Sequence, residues 1–427
     1  MNIFEILNIT NGSLINKIDL IKKINKIKIN SNEIKKNDCF IAINSGYKYI
    51  NDAIKNGACL IITDKKKRYS IPTILVKNTT YALGQLGKYI KEKYNPKIIA
   101  ITGSVGKTTT RELLYCILKK KYNVIQNEKN YNNQIGVPLT LLNINKFTEI
   151  ALIEMGMNHF KEIEYLSKLT EPDLAIITNI GTSHIGNLGS KENILKAKLE
   201  ITEGLKGKLF VNGDDELLKY LNLNISKSGF DISNNLIAYN LKSNLNNSIF
   251  NIKLNKEYEI KINLPKHLVP NVLLAINVAL YLNIDINTII KALKEYKPYD
   301  MRMNIIKNKT NIIINDCYNS SYESLKGALN TIKNCNEEKI IILGDIKELG
   351  EYAYEIHKKI VPLLDEINNK KVYLIGKYIK YKDACHFNNC NELINYLKDK
   401  KIENKVILIK ASRAMHFENI TNFLLNL

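Results

Sequence analysis

The chain has 427 residues, of which 45% are hydrophobic and 24% are charged, proportions that are typical of globular proteins and exclude disordered, collagen-like and coiled-coil chains. Its length predicts two or three domains, with enough buried surface for stability without disulfides. The formal net charge is +20, but the lysines are scattered over the whole length, which favours the codon bias of an AT-rich genome over a nucleic-acid or membrane partner.

The first part of the chain predicts a small α/β domain over residues 1–95. Short apolar runs such as CFIAIN and CLIITD alternate with turn signals, and a helix is predicted over residues 81–93. Asn95-Pro96 ends this helix, because the residue before a proline is disfavoured in the helical conformation. We expect a domain boundary at this point.

A second domain is predicted over residues 96–299. The apolar run KIIAIT is followed by GSVGKTTT and an apolar-periodic helix, and the runs TEIALIEM and PDLAIITNI follow. This alternation predicts a doubly wound, mainly parallel sheet. Residues 225–265 differ, because strand-like runs with Asn-rich turns indicate extra β strands, as an insertion or an edge meander.

A third domain is predicted over residues 300–427, where TNIIIND, KIIILGD, KVYLIG and KVILIKAS are apolar strands with helices between them. The fold class is therefore α/β with three domains. Residues 268–284 are apolar but contain a proline and three asparagines. We expect a buried helix there and no membrane span.

The cysteines and the N-terminus indicate the cellular compartment. None of the seven cysteines has C-x-x-C spacing, which argues against a zinc ribbon and suits a reducing environment. The start MNIFEILNIT lacks the basic segment of a secretory signal. We therefore expect a cytoplasmic protein.

The strongest local signal is a glycine-rich loop between a predicted strand and a predicted helix. Such a loop wraps an anion, and the backbone N–H groups at the helix start point at phosphates. The lysine would neutralise the β- and γ-phosphates, and the following threonine can hold Mg²⁺. Ile101 stands where the strict Walker pattern has glycine, so the loop is a variant. The predicted nucleotide-binding residues are Gly103, Ser104, Val105, Gly106, Lys107, Thr108 and Thr109.

Three residues after the loop are considered as functional residues because of their positions in the chain, and each also has a simpler structural interpretation. Glu154 ends a strand, where doubly wound folds bind ligands, so it is either a Mg²⁺ ligand or a surface acid. His184 follows the strand end TNIG and is either a metal or substrate ligand or a structural histidine. Lys198 lies on a predicted helix, and in a chain with 62 Lys and Arg the residues alone indicate a solvent-facing side chain.

Eight motifs together resemble those of a known family. They are ITGSVGKTTT, NYNNQIGVPLTLL, EMGMNH, TNIGTSHIGNLGS, KAKLEI, DCYNSSYESLKGAL, ILGDIKELGE and KASRAMHFE. In this order and spacing, from about residue 30 to about residue 420, they resemble the Mur ligases of peptidoglycan synthesis. DCYNSSYES and GDIKELG favour the members that add a dipeptide, and the D-N-P-R signature of the diaminopimelate-adding members is absent from the sequence.

The resemblance implies a three-domain architecture and an activity. Residues 1–95 would bind the UDP-sugar, residues 96–299 would bind ATP, and residues 300–427 would form a Rossmann-like domain that receives the dipeptide. The reaction would be ATP-dependent amide formation between UDP-N-acetylmuramoyl-tripeptide and D-alanyl-D-alanine through an acyl phosphate. ATP and two Mg²⁺ are the implied cofactors, and we expect a monomer without a nucleic-acid partner.

The resemblance also implies roles for individual residues. Thr108 and Glu154 would bind one Mg²⁺ and His184 a second, while Lys198 matches a lysine that CO₂ carbamylates, which turns an amine into an oxygen ligand for metal. The expected catalytic residues are Lys107, His184, Lys198, Asp316 and Asn319. The expected nucleotide contacts outside the loop are His267, Asn271 and Arg302. The expected substrate contacts are Ser31, Asn130, Asn132, Asn133, Tyr318 and Asn319.

The sequence departs from the family pattern at several points. Asn30-Ser31-Asn32 replaces Asp-Ser-Arg, which predicts weaker nucleotide-sugar recognition. Lys266 and Leu268 flank His267 in place of glycine and asparagine, and Ile185 stands where an acid often follows the histidine.

Three alternatives remain at this point. The first is a Mur-type or folylpolyglutamate synthase-like amide ligase with another acceptor. The second is a nucleic-acid-associated P-loop ATPase, which would need a clustered basic face. The third is a non-catalytic scaffold, against which the intact Lys107, Glu154 and Lys198 argue.

Overall fold

A computed structural model describes residues 1–16, 20–128, 130–298 and 301–427. The described residues form three β-sheets that follow one another along the chain, each with helices packed on it. This confirms the predicted α/β fold class. The predicted boundary at residues 95–96 lies between a helix and a strand, and the boundary at residues 299–300 lies outside the described residues.

The first sheet is small and mainly parallel. Its described strands are β1 (Ser13–Leu14), β2 (Ile27–Lys28), β3 (Asp38–Ile41), β4 (Ala58–Thr63) and β5 (Thr73–Leu75). Its helices are α1 (Ile3–Thr10), α2 (Ile50–Lys55) and α3 (Thr79–Tyr94). The strand order is β1-β5-β4-β3-β2, and β1 alone runs antiparallel. The central strand β4 is buried along its whole length, as the apolar run CLIIT predicts.

The second sheet has nine described strands. They are β6 (Lys97–Thr102), β7 (Val124–Gln126), β8 (Ile150–Glu154), β9 (Leu174–Ile177), β10 (Lys208–Asn212), β11 (Ile225–Gly229), β12 (Leu236–Ser243), β13 (Ser248–Lys253) and β14 (Glu257–Ile262). The helices are α4 (Lys107–Leu118), α5 (Gly136–Leu141), α6 (Glu162–Thr170), α7 (Ile185–Leu188), α8 (Lys191–Leu199), α9 (Val269–Tyr281) and α10 (Ile286–Glu295).

The order of this sheet, β14-β13-β12-β11-β10-β9-β6-β8-β7, places the glycine-rich loop at a favourable point. β6 lies between β8 and β9, so the chain leaves its carboxyl end where the strand order reverses. Doubly wound sheets bind ligands in the crevice that opens at such a reversal.

The predicted extra strands are present, with one difference. β12, β13 and β14 form an antiparallel meander at the edge of the sheet, as predicted. β11, however, pairs in parallel with β10 and continues the doubly wound part. Its sequence ISKSG buries small serines instead of large apolar residues, which is why no hydrophobic pattern marks it as a parallel strand.

The third sheet is again mainly parallel. Its described strands are β15 (Asn304–Asn308), β16 (Asn311–Asn315), β17 (Glu338–Gly344), β18 (Lys370–Ile375), β19 (Ala384–Phe387) and β20 (Lys405–Lys410). Its helices are α11 (Tyr322–Ile332), α12 (Ala353–Lys358), α13 (Ile360–Asp365), α14 (Cys390–Lys398) and α15 (Glu418–Leu425). The order is β15-β16-β20-β17-β18-β19, with β15 antiparallel. The four predicted strands form its centre, and β15 and β19 are edges that the apolar pattern did not reveal.

Helix α9 is the buried helix that the sequence predicts for residues 268–284. Pro270 lies in its first turn, where the missing N–H costs no helical hydrogen bond. Among the described helices, none combines the length and apolar character that crossing a bilayer requires. One cluster of buried side chains contains residues of both the second and the third sheet. The two units, each consisting of a sheet with its helices, therefore pack against each other.

Candidate functional site

A cavity of about 910 Å³ opens between the second and third sheets. One wall consists of the glycine-rich loop and the segment after β7, and the opposite wall consists of the segment after β16 and the segment after β20. All predicted site residues line this cavity except Gly103, Lys198 and Ser31.

The loop between β6 and α4 can be formed only by glycine at two positions. Gly103 has φ +145° and Gly106 has φ +84°, conformations that side chains with a Cβ rarely adopt. A Cβ on Gly103 would also collide with Thr178 Oγ1, and one on Gly106 would collide with the amide of Asn271. The neighbouring side chains therefore leave no space for a Cβ atom at either position, which restricts both positions to glycine.

The segment after β9 holds the loop from behind. The backbone N–H of Ser104 donates to the carbonyl of Asn179 at 3.0 Å, and that of Val105 donates to Asn179 Oδ1 at 2.9 Å. Gly181 N–H donates to Ser104 Oγ at 2.8 Å. This leaves the first turn of α4, which begins at Lys107, directed at the cavity. The N-terminus of a helix is a favourable place for phosphate.

Lys107 lies across its own loop. Its ammonium group donates to the carbonyl of Gly103 at 2.7 Å and approaches that of Ser104 at 3.4 Å. Burial lowers the pKa of Lys107, while the carboxylate of Glu154 acts in the opposite direction. The side chain is thus positioned where it can move to an anionic ligand in the loop.

Glu154, at the end of β8, is fully buried and has several partners. Its Oε2 accepts from Thr108 Oγ1 at 2.9 Å and lies 3.3 Å from Arg111 Nη1, while Oε1 accepts from Asn132 Nδ2 at 2.9 Å. A buried carboxylate needs a counter-charge, and Arg111 supplies one at 3.3 Å. Thr108 and Glu154, predicted to share a Mg²⁺, are therefore direct neighbours.

Lys198 is the opposite of the solvent-facing lysine that its surroundings in the sequence indicate. Its side chain, on α8, is 1% exposed. No ion pair or hydrogen bond joins its Nζ to the parts of the chain that the structure describes. Burial and the nearby charge of Lys107 hold the pKa of Lys198 well below its ordinary value. A buried lysine without a counter-ion is most stable as the neutral amine.

His184 reaches the third sheet's unit. The residue has a left-handed backbone, with φ +65°, directly before α7. Its Nδ1 lies 2.9 Å from Glu348 Oε2 without the alignment of a hydrogen bond, and this contact lowers the pKa of Glu348. Within the described ranges, no three His, Cys, Asp or Glu side chains are grouped closely enough to hold a cation.

The opposite wall carries a buried ion pair that sequence reasoning missed. Lys410 Nζ lies 2.5 Å from Asp316 Oδ2 and donates to the carbonyl of Asn319 at 3.2 Å. Both charged residues line the cavity, and Lys410 is 1% exposed. The guanidinium of Arg302 stacks on the ring of Tyr318 at 4.1 Å. The motif KASR contained Lys410, but its pattern gave no reason to single out the lysine.

Two of the expected nucleotide contacts outside the loop, Asn271 and His267, are held by contacts with other side chains. Asn271 donates to the carbonyl of Gly106 at 3.3 Å and to Thr110 Oγ1 at 3.0 Å, so it supports the glycine-rich loop. His267 Nδ1 lies 3.1 Å from Thr331 Oγ1 of α11. Burial, assisted by the charge of Lys410, lowers the pKa of His267 to about 3.

The expected substrate contacts divide into two groups. Asn130, Asn132 and Asn133 lie at the cavity, where Asn133 Oδ1 also accepts from the backbone of Gly136 at 2.9 Å at the start of α5. Ser31 is buried in the first sheet's unit, away from the cavity lining, and its carbonyl accepts from Asn56 at 2.9 Å.

Comparisons with known proteins agree with this geometry. A family model for the Mur ligase middle domain matches residues 101–279, and one for the Mur ligase, glutamate ligase domain matches residues 301–413. The UDP-N-acetylmuramoyl-tripeptide–D-alanyl-D-alanine ligase of Buchnera aphidicola subsp. Baizongia pistaciae is 35% identical, covering 100% of this chain and 98% of that protein. The ligase of the same name from Bacillus subtilis is 34% identical, covering 89% and 88%.

Solved structures give the same result. A crystal structure of MurF from Acinetobacter baumannii superposes with a TM-score of 0.93 at 27% identity, covering 100% of this chain and 99% of that one. The MurF ligase from Thermotoga maritima in complex with ADP gives a TM-score of 0.85 at 26% identity, covering 94% and 97%.

Proposed function

Because this chain belongs to the Mur ligase family, in the group that adds a dipeptide, we propose that it joins UDP-N-acetylmuramoyl-tripeptide to D-alanyl-D-alanine with ATP. It is an ATP-dependent acid–amino-acid ligase of peptidoglycan precursor synthesis. The observation that carries the proposal is the cavity, which brings the glycine-rich loop of one unit against Asp316, Tyr318 and Asn319 of the next.

ATP would lie with its phosphates against the first turn of α4. Lys107 would leave the loop carbonyls and pair with the terminal phosphates, because a change of side-chain rotamer would bring its ammonium group to the phosphate site. Thr108 and Glu154 offer adjacent oxygens that suit Mg²⁺, a hard cation that prefers such ligands. Mg²⁺ there would neutralise charge on the phosphoryl oxygens.

Lys198 supports the carbamate proposal by its burial. Only a neutral amine attacks CO₂, and burial together with the charge of Lys107 lowers the pKa of Lys198, which favours the neutral form. The carbamate would bear a negative charge close to Lys107, whose positive charge contributes to the lowered pKa of Lys198. Together with His184 it could complete a second Mg²⁺ site, which the described His, Cys, Asp and Glu residues do not form alone.

The reaction follows from the need for a good leaving group. An oxygen of the tripeptide carboxylate would attack the γ-phosphorus, the bond to the β-phosphate oxygen would break, and ADP would leave. The dipeptide amine would then attack the acyl carbon, lose a proton and expel phosphate. Lys107 and the N–H groups of α4 would stabilise charge on the transferring phosphoryl group.

The dipeptide would enter from the wall formed by the third sheet's unit. Asp316 and Asn319 are held there by Lys410, which fixes both the carboxylate and the neighbouring backbone. Packing of this unit over the loop would exclude water, which otherwise hydrolyses an acyl phosphate. Asn130, Asn132 and Asn133 would face the UDP-linked substrate, with Ser31 contributing from the first unit.

The test measures ADP release and product mass with purified protein, ATP and Mg²⁺. We expect turnover only when UDP-N-acetylmuramoyl-tripeptide and D-alanyl-D-alanine are both present, and a product mass equal to their sum less one water. Turnover with a single amino acid in place of the dipeptide, or with folate and glutamate, would contradict the acceptor. Lys107→Ala is the negative control for contaminating ATPase activity.

A further inference from the structure

We propose that Glu323 is a positioning residue that holds the unit of the third sheet against the phosphate-binding loop during the reaction, an inference that rests on the proposed function. Glu323 lies in the first turn of α11, and no role follows for it from the sequence motifs. Glu323 belongs to the unit of the third sheet, whereas the residue that donates both hydrogen bonds to its carboxylate belongs to the unit of the second sheet.

The carboxylate of Glu323 accepts two hydrogen bonds from one residue, Thr182. Glu323 Oε1 accepts from the backbone N–H of Thr182 at 2.8 Å, and Oε2 accepts from Thr182 Oγ1 at 3.1 Å. Thr182 is 8% exposed, so these bonds are shielded from water. Hydrogen bonds to a charged acceptor are about twice as strong as neutral ones.

The contact requires a glycine next to it. A Cβ on Gly181 would lie 2.6 Å from Glu323 Cδ, closer than any real side-chain contact. The absence of a side chain at Gly181 is therefore what admits the carboxylate to the backbone of this turn.

From this turn the contact continues directly to the nucleotide loop. Gly181 N–H donates to Ser104 Oγ at 2.8 Å, and Asn179 binds the backbone of Val105. The carboxylate of Glu323 is thus separated from the phosphate-binding loop by one backbone turn. A shift of α11 would be transmitted to the loop through bonds that all lie in buried or half-buried surroundings.

Other contacts between the described parts of the two units cannot replace it. His184 Nδ1 lies 2.9 Å from Glu348 Oε2 but without the alignment of a hydrogen bond, which leaves two contacts to compare. The backbones of Gly186 and Gly350 pack closely, and Gly186 N–H donates to the carbonyl of Glu348 at 3.3 Å. His267 meets Thr331 at 3.1 Å. Neither supplies a charged acceptor with two aligned donors, so the Glu323 contact is the strongest directional bond among the three.

The experiment compares Glu323→Ala with Glu323→Gln in the full-length protein. Glutamine can still accept from Thr182 N–H and can donate to Thr182 Oγ1, whereas alanine removes both bonds. We expect the alanine variant to lose about 10- to 100-fold in kcat/KM for D-alanyl-D-alanine, while its Kd for ADP changes by less than about twofold because the loop itself is intact. The glutamine variant should retain most of the activity.

Small-angle X-ray scattering with ADP and Mg²⁺ gives a readout that does not depend on ligase activity. We expect a larger radius of gyration for Glu323→Ala than for the unaltered protein and for Glu323→Gln. Glu355→Ala is the matched control, because that exposed glutamate of the same unit makes no side-chain bond to the described residues. It should resemble the unaltered protein in both assays.

Three results would overturn the proposal. The first is scattering and a dipeptide KM in Glu323→Ala equal to those of the control. The second is a glutamine variant as impaired as alanine with unchanged scattering, which would mean that the charge acts on substrate. If Glu323→Ala does not fold, Thr182→Val replaces it, because this substitution removes only the hydrogen bond of the hydroxyl group. Thr182→Val should raise the radius of gyration and the KM for D-alanyl-D-alanine. The third contradicting result is a Thr182→Val variant in which neither quantity changes. Absence of ligase activity in all proteins would reject the proposed function and leave the scattering result decisive for this contact.

Discussion

Three lysines around the cavity show how partners decide what one residue type does. Lys107 donates to loop carbonyls, Lys410 is paired with Asp316, and Lys198 is buried with a strongly lowered pKa. The first is ready to bind an anion, the second fixes an acid, and the third is suited to react as a neutral amine. These differences come entirely from tertiary contacts, because the three residues are chemically identical.

The proposed carbamylation of Lys198 gives a prediction at this scale. Lys198→Ala should lower kcat by at least about 100-fold, because the oxygen ligand for metal is lost, and short carboxylic acids should restore part of the activity by occupying the space. ¹³C NMR after equilibration with ¹³CO₂ should show a carbamate signal in the unaltered protein that Lys198→Ala lacks.

Lys196→Ala is the control for this prediction, since Lys196 lies on the same helix and is exposed. It should keep both the signal and the activity. Full activity of Lys198→Ala without added acids would show that no carbamate is needed.

Arg111 gives a second prediction, for stability. Arg111→Met would remove the cation that lies 3.3 Å from the buried carboxylate of Glu154, which costs about 3–5 kcal/mol of unfolding free energy. Arg111→Lys keeps the charge but loses the fork that reaches both Glu154 and Glu112, so its loss should be about 1 kcal/mol. Urea denaturation followed by circular dichroism measures both. Equal stability of Arg111→Met and the unaltered protein would show that the contact between Arg111 and Glu154 does not stabilise the fold.

At the scale of elements, an ion pair connects the first unit to the second. Lys91 of α3 is 4% exposed, and its ammonium lies 2.8 Å from Glu171 Oε2 at the end of α6. The bonds to Lys91 and Lys206 lower the pKa of Glu171 to about 2. A depressed carboxyl pKa means stability that is present above the unfolded pKa near 4.5 and is lost as the pH falls toward 2.

Glu171→Gln should therefore destabilise the protein at neutral pH and much less in acid. Because the glutamate is partly exposed and screened, we expect about 1–2 kcal/mol at pH 7. The difference from the unaltered protein should shrink between pH 4.5 and pH 2, measured by urea denaturation at each pH. Glu203→Gln is the control, because Glu203 forms an exposed ion pair with Lys168 at 3.7 Å. This substitution should change the unfolding free energy little. A difference that stays constant with pH would exclude the ion pair as its cause.

The elements also show what the sequence alone can predict. The strand–loop–helix around Gly103 and Lys107 is local in the chain, so its residue pattern predicts its structure. Its place at the reversal of strand order depends on pairing with β8 and β9, which the local pattern does not specify. Glu154 could be found because it ends a strand. By contrast, Lys410 meets a partner 94 residues away and Glu323 one 141 residues away, and no local pattern encodes such pairs. The parallel strand β11 was missed because its buried residues are serines.

At the scale of the whole molecule, the cavity exists only where two units meet. The loop that would hold ATP and the wall that would hold the dipeptide are joined by Glu323, by the glycine pair at Gly186 and by His267. The surfaces that would bind the substrates therefore also set the arrangement of the units. Any condition that weakens the contacts between the units should affect dipeptide binding before it affects ATP binding.

The titration of His267 provides such a condition. Its pKa is lowered to about 3 in the packed arrangement, where α11 and the charge of Lys410 surround it. A free histidine has a pKa near 6.5, so the separated state takes up a proton first and the packed state loses stability as the pH falls from about 6.5 toward 3. We expect the radius of gyration with ADP to rise between pH 7 and pH 5, and KM for D-alanyl-D-alanine to rise with it.

His267→Asn tests the assignment, because asparagine can keep a hydrogen bond to Thr331 but does not titrate. In this variant the radius of gyration should stay constant over the same pH range. In Glu323→Ala the radius of gyration should be larger at pH 7 and should still rise as the pH falls. If His267→Asn opens with acid as the unaltered protein does, another group is responsible.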